Sequence, residues 1–378
     1  MIYLDYAATS PACLEVLEGY RELSEKYWGN ASSNHAFGQE ASRLLALSRK
    51  AILDLFHLDD TYEVIFTSGA TESNNLAIKG IAFQYQNRGK HLITSAGEHA
   101  SVLQCFHDLE ENFGFSLTIL PINEEGKVNP DDLRKAMRKD TILVSIMAIN
   151  NEVGSVNDIK ALSKIVHEYP KCFFHVDTTQ AIGKIDLDYS SIDAFVLSAH
   201  KCHGLKGSGA LIKKKVIKPL PLLSGGGQEN GFRSGTSDVP KDVMLAKTLR
   251  LYLSRSLQEK SRIHSLVKEL REKLSLLPGV SINSPIDATD YILNFSLKEK
   301  KASVVVEALS NQGIMVSTIS ACSSKKTNQS PVLKAMGKRL DEVENPLRLS
   351  FSYLTTKEDL AKFYQALVTI LKEVKSGH

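Results

Sequence analysis

The chain has 378 residues, 43% hydrophobic and 24% charged, which is enough for two or three core units and too apolar for a disordered chain. It contains no run of about 18 apolar residues that could cross a membrane as a helix, and its start, Met1-Ile2-Tyr3-Leu4-Asp5, lacks the basic and apolar regions of a signal peptide. A formal charge of +3 implies no polyanion partner, so neither nucleic acid nor a membrane surface is expected.

Strand-like runs alternate with helical ones through the first two-thirds. Short apolar, β-branched segments fall at Glu63–Thr67, His91–Thr94, Ser116–Leu120, Ile142–Met147, Cys172–Val176 and Ala194–Leu197, as buried parallel strands should. Between them lie helical stretches such as Phe37–Phe56, whose apolar residues keep close to a 3.6 period, and Asn157–Tyr169. The alternation reads as an α/β domain with a mostly parallel sheet. After about Leu245 the pattern changes. Ile263, Leu266, Val267, Leu270 and Leu274 mark a long amphipathic helix that Pro278-Gly279 stops. Beyond it come a strand (Tyr291–Phe295), a helix (Ala302–Gln312), a strand (Ile314–Thr318), a polar loop (Ser320–Ser330), a strand (Leu347–Phe351) and a final helix. We expect a large domain over 15–254 and a smaller α+β domain built from 1–14 and 255–378, with its polar loop at about 319–330.

Five cysteines, Cys13, Cys105, Cys172, Cys202 and Cys322, form no CxxC pair. Their odd number and irregular spacing argue against a disulfide framework and point to the cytoplasm. A zinc site on His200 and His203 lacks a convincing third ligand.

In open α/β sheets, ligands bind beyond the carboxyl ends of the strands, so the residues following each strand matter most. Thr67-Ser68-Gly69-Ala70-Thr71 precedes a helix. It is either an anion cradle at the helix N-terminus or a plain cap at Thr71. His99, after Glu98, suits stacking or proton transfer, or simple hydrogen bonding. Asn150-Asn151-Glu152-Val153-Gly154 is a polar turn. Asp177 and Gln180 follow a strand, where an Asp also serves as a helix cap. Lys201, between an apolar strand and Gly204-Leu205-Lys206-Gly207, is either a desolvated amine nucleophile or a snorkelling lysine. Together an anion cradle, a His, an Asn, an Asp, a Gln and a Lys suit pyridoxal phosphate.

With these residues in order, the sequence resembles the cysteine desulfurases (NifS/IscS-like), aminotransferase-like enzymes of the fold-type I pyridoxal-phosphate superfamily. The resemblance covers almost the whole chain. It rests on Leu4-Asp5-Tyr6-Ala7-Ala8-Thr9, Gly29-Asn30 with Ser33-Asn34-His35, Thr67–Leu76, Glu98-His99, Asn150–Gly154, His175-Val176-Asp177 with Gln180, Ser198-Ala199-His200-Lys201, Arg233–Thr236 and Ser320-Ala321-Cys322. It implies that Lys201 holds the cofactor as a Schiff base, His99 stacks on its ring and Asp177 pairs with its ring nitrogen. Asn151 and Gln180 would lie near the ring oxygen. Ala70, Thr71, Ser198 and His200 would bind its phosphate, and Thr236 would reach the phosphate of a second subunit in a homodimer. Arg348 would clamp the substrate carboxylate. Cys322, set in a polar stretch beside Lys325 and Lys326, would take sulfur from L-cysteine as a persulfide, releasing L-alanine and passing sulfur to an acceptor protein for iron-sulfur cluster assembly or tRNA thiolation. No resident metal is implied.

The chain departs from the family's pattern at Ser224, Asn230, Ala31, Ser352-Tyr353 and Lys325-Lys326. These changes leave the cofactor residues intact. Rival readings are a selenocysteine lyase or another aminotransferase-like enzyme, and a non-catalytic scaffold for sulfur carriers or tRNA. The joint presence of Lys201, Asp177 and Cys322 argues against a scaffold, which needs none of them.

Overall fold

A computed structural model describes residues 1–298, 300–318 and 329–373. A short strand β1 (Ile2–Tyr3) is followed by helices α1 (Leu14–Lys26) and α2 (Ala36–Leu55). The alternating region then runs β2 (Tyr62–Thr67), α3 (Ala70–Tyr85), β3 (His91–Ser95), α4 (Ala100–Phe113), β4 (Ser116–Leu120), α5 (Pro130–Ala136), β5 (Thr141–Ser145), α6 (Ile159–His167), β6 (Phe173–Asp177), β7 (Ala194–Ser198) and β8 (Gly209–Lys214). Helix α7 (Val239–Ser275) leads to β9 (Val280–Ile282), β10 (Ile292–Leu297), α8 (Ala302–Asn311), β11 (Ile314–Met315), α9 (Pro331–Ala335), α10 (Leu340–Glu344), β12 (Pro346–Ser350) and α11 (Lys357–Glu373).

The large sheet has the order β2-β8-β7-β6-β5-β3-β4. Every neighbouring pair is parallel except those made by β8, which runs against both β7 and β2. This is the mixed α/β class with a mostly parallel sheet. Its central strands β3, β5 and β7 are buried along their whole length, which is why they read as continuous apolar runs rather than alternating ones. Strand β8 was not expected. Its end, Lys213-Lys214, looks like surface, yet Lys213 is buried because Glu63 on β2 accepts its ammonium at 2.6 Å.

The helix expected to start near Ile263 begins at Val239, so α7 runs for 37 residues, about 55 Å. Asp238 caps it by accepting from the Lys241 N–H, and Pro240 sits in the first turn, where its missing donor costs nothing. Its first half, with Leu245, Leu249 and Tyr252, packs in the core of the large sheet. Its second half, with Ile263, Val267, Leu270 and Leu274, packs in a second core with β10, β12, α8, α11 and Leu4. Position 254/255 lies within this helix.

The second core backs an antiparallel sheet in the order β12-β10-β9, and β1 pairs in parallel with β11. Of the expected strand at Ile314–Thr318, only Ile314 and Met315 are strand, followed by a single bridge from Ser317 to Arg348. A chain segment near the N-terminus therefore runs between the two cores. Ser350 donates its N–H to Leu4 O, and Ser10 donates its N–H to His200 O.

Candidate active site

A cavity of ≈ 470 Å³ opens at the carboxyl ends of β2, β6 and β7. Ala70, Thr71, His99, Asn151, Asp177, Gln180, Ser198, His200, Lys201 and Arg348 all line it, although they come from six separate places in the chain.

At one end, β2 turns into α3 through Gly69. Gly69 is the N-cap, with φ +148°, a backbone conformation that L side chains rarely adopt. A Cβ there would also meet Ser198 Oγ at 3.2 Å, and a Cβ on the neighbouring Gly209 would meet Gly69 Cα at 2.6 Å. Thr71 is therefore not the cap of this helix. Gly69 has no side chain to occupy the first N–H groups of a 16-residue helix, so they are left as an anion cradle. Glu72 would oppose an anion, but Arg233 holds it at 2.8 Å.

In the middle of the cavity, Asp177 is buried and accepts from Asn74 Nδ2 at 3.0 Å and from the Thr179 N–H at 2.9 Å. The same Asn74 amide donates to Ser101 Oγ at 2.9 Å. The Ser101 N–H in turn donates to Nδ1 of His99, which caps α4. The proton of a neutral His99 ring therefore sits on Nε2. Burial, then the nearby Lys201 charge, holds the His99 pKa below the usual histidine range. His200 is driven down to about 4 by burial and by Lys201 and Lys206, and its Nδ1 lies 3.0 Å from Thr9 Oγ1.

Lys201 ends a 3-10 turn after β7, and its ammonium donates to the carbonyls of Ala7 (2.5 Å) and Ala8 (2.7 Å). Gln180 Nε2 donates to the same Ala7 oxygen at 3.0 Å, and Lys184 donates to Gln180 Oε1 at 2.6 Å. Burial lowers Lys184 to about 7. Arg348, on β12 and 2% exposed, donates from Nη1 to Asn151 O and from Nη2 to Asp5 Oδ1, both at 2.9 Å. Its Nε is buried and has no hydrogen-bond partner among the described residues.

Thr236 is exposed and does not line this cavity. It lies three residues beyond Arg233, which ties its loop to the cavity rim through Glu72. Cys322 and residues 320–328 of the expected Ser320–Ser330 loop lie outside the described residues. Among the described residues, no three His, Cys, Asp or Glu side chains gather as a metal site.

Sequence reasoning did not single out Asn74, Ser101, Lys184, Asp5 or the Ala7 and Ala8 carbonyls. Asn74 could have been found, because a polar residue inside the apolar face of a helix needs a buried partner. The two carbonyls leave no side-chain signal at all.

These residues fit pyridoxal phosphate. The Gly69 cradle has room that a Cβ would fill, the acid at Asp177 is buried and doubly hydrogen-bonded, and the Lys201 amine projects among them. The fold is that of the class-V aminotransferases, a pyridoxal-phosphate-dependent family, and the chain belongs to it: the aminotransferase class-V model matches residues 2–363. Within it, the chain is 43% identical over 371 residues to a NifS/IcsS protein homolog of Lactobacillus delbrueckii subsp. bulgaricus, covering 97% of this chain and 96% of that protein. It is 40% identical over 382 residues to a cysteine desulfurase IscS of Dictyoglomus turgidum, covering 99% and 95%. A solved NifS-like protein superposes with a TM-score of 0.91 at 32% identity, covering 99% of this chain and all of that one.

Proposed function

We propose that the protein is a cysteine desulfurase that takes sulfur from L-cysteine, releases L-alanine and carries the sulfur as a persulfide on Cys322. The observation that carries this reading is the meeting of the Lys201 amine, the Asp177 carboxylate and the Arg348 guanidinium around one cavity, in a chain that also has Cys322.

Bound pyridoxal phosphate supplies an electron sink that weakens the bonds to Cα and Cβ of an attached amino acid. Lys201 is the residue to hold it covalently. Ala70 and Thr71 would offer N–H donors to its phosphate, with Ser198 and His200 beside them, and the Asp177 carboxylate would pair with its ring nitrogen. His99, neutral and fixed by Ser101, offers a flat face to its ring. Gln180 and Asn151 would be the residues to meet its ring oxygen. Arg348 fixes the substrate carboxylate, a task suited to a planar fork. The Lys201 amine, held by the Ala7 and Ala8 carbonyls, would also be the group placed to move a proton at the substrate carbons.

The sulfur step balances without an outside oxidant. The Cys322 thiolate attacks the substrate sulfur, the Cβ–Sγ bond breaks, and Cβ gains a proton as alanine forms. The persulfide then passes to an acceptor protein of iron-sulfur assembly or tRNA thiolation. We place this chemistry in a homodimer. Leu220, Leu222 and Leu223 are 44%, 38% and 47% exposed, and Ser234, two residues before Thr236, donates its N–H to Leu223 O. This apolar run beside the Thr236 loop suits a two-fold interface.

The test is direct. The protein, loaded with pyridoxal phosphate and given L-cysteine, should form alanine and protein-bound persulfide in equal amounts in the first turnover. Release of pyruvate and ammonia instead would point to a different lyase.

A further inference from the structure

We propose that Asp5 is a built-in counter-charge that weakens the grip of Arg348 on an amino-acid carboxylate, so that product leaves readily. The proposal rests on reading the cavity as an amino-acid site, as above.

Arg348 is the largest fully buried side chain among the described residues, and a buried guanidinium needs compensation. Among the described residues it has one ion-pair partner, Asp5, whose Oδ1 accepts from Nη2 at 2.9 Å. Its other partner is the neutral carbonyl of Asn151. Its Nε is buried with no partner among the described residues. Arg348 lines the cavity while Asp5 does not, and each terminal nitrogen of its fork makes one described bond, to Asn151 O or Asp5 Oδ1, which leaves a second N–H on each for a ligand.

Asp5 cannot easily withdraw. Residue 5 bridges Ser350, the Leu4 carbonyl accepts from the Ser350 N–H, and the Ala7 N–H donates to Ser350 Oγ at 2.8 Å. The Ala8 N–H donates back to Asp5 O at 3.0 Å. The acid is thus fixed on a backbone tied to the strand that carries Arg348. A substrate carboxylate must share one guanidinium with a carboxylate already in place. The resident charge satisfies the arginine between turnovers and repels each arriving carboxylate, substrate and product alike. Asp5 acts through Arg348 and is a positioning residue.

The experiment compares wild type with Asp5→Asn, both loaded with cofactor, by calorimetric titration with L-alanine and, separately, with propionate, which lacks the amine. Asn keeps an oxygen for Nη2 and removes the charge. Both ligands should bind about tenfold more tightly to the variant, as expected on removing one unit charge beside a partly buried ion. The KM for L-cysteine should fall in step while cofactor absorbance stays unchanged. A role confined to holding the fold would instead weaken binding or leave it alone. Equal or weaker binding of both ligands in Asp5→Asn overturns the proposal. If that variant does not fold, Asp5→Ala, which also removes the charge, decides on the same criterion. Failure of wild type to bind L-alanine or propionate at all would overturn the amino-acid reading of the cavity, and the counter-charge with it.

Discussion

Glu152 and Ser330 share a hydrogen bond of 2.5 Å across 178 positions of sequence. The Ser330 hydroxyl donates to Glu152 Oε2 and accepts from the Leu333 N–H, so it also caps α9. Both residues are buried. The bond fixes Ser330, on the far side of Cys322 in sequence, beside the turn that carries Asn151 into the cavity. Glu152→Ala should cost about 1–3 kcal/mol, the usual effect of stranding a buried partner. It should slow alanine formation more than it weakens binding of L-alanine. Thermal melting and single-turnover assays measure the two effects.

Lys201→Ala should abolish turnover and covalent cofactor attachment. Borohydride reduction followed by peptide mass spectrometry should place the cofactor on the peptide containing Lys201 in wild type, and on no peptide in the variant. Attachment to any other lysine would reject the assignment.

Asn74 supplies both amide N–H groups to the site, one to Asp177 and one to Ser101. Asn74→Leu keeps the volume and removes both. We expect cofactor affinity to fall and kcat to drop by one to two orders of magnitude, with a stability loss of about 1–3 kcal/mol. Equilibrium dialysis of the cofactor and steady-state kinetics check this. Wild-type cofactor affinity in the variant would show that Asp177 needs no such support.

Glu98 gives a pH signature. Burial raises its carboxyl from an ordinary 4.5 to about 8, while the Ser95 hydroxyl and the Met147 N–H both donate to its Oε1. The fold favours the neutral acid, so its contribution is complete below pH 4.5 and is lost as pH rises toward 8. Glu98→Gln mimics the neutral form at every pH. It should match wild type near pH 4.5 and exceed it by on the order of a few kcal/mol above pH 8. Melting curves across that range should diverge with rising pH; parallel curves would mean that Glu98 titrates normally.

Cys322→Ser separates cofactor chemistry from sulfur transfer. The variant should bind cofactor and L-cysteine as wild type does, yet form almost no alanine and no protein persulfide. Substitutions at Cys13, Cys105, Cys172 and Cys202 should leave turnover nearly unchanged. Near-normal alanine release by Cys322→Ser would remove the main support for the desulfurase reading.

The buried strands were legible because burial on both faces writes itself as an unbroken apolar run, and a motif at each strand's end marks one edge of the sheet. Strand β8 was not, since a lysine that ends in an ion pair looks like any surface lysine until Glu63 is beside it. Helix α7 looked like a shorter helix because its apolar face changes between Tyr252 and Ile263, where it passes from one core to the other. Ten of the 22 residues lining the cavity could be named in advance, but what holds them could not. Asp5 acts on Arg348 across 343 positions, and Ala7 and Ala8 act through backbone oxygens that every residue possesses.

The tie between residues 5 and 348 also bears on how the molecule is made. At about 5–20 residues per second, a ribosome needs roughly 20 to 70 s to add the intervening 343 residues. The large sheet has all its strands well before then, but the carbonyls of Ala7 and Ala8 take their place over Lys201 on a segment whose strand partners, Ile314, Met315 and Ser350, come near the end of synthesis. The nascent chain can therefore hold a folded sheet long before it holds a finished site, and it gains a complete lysine pocket only once its two distant ends have met.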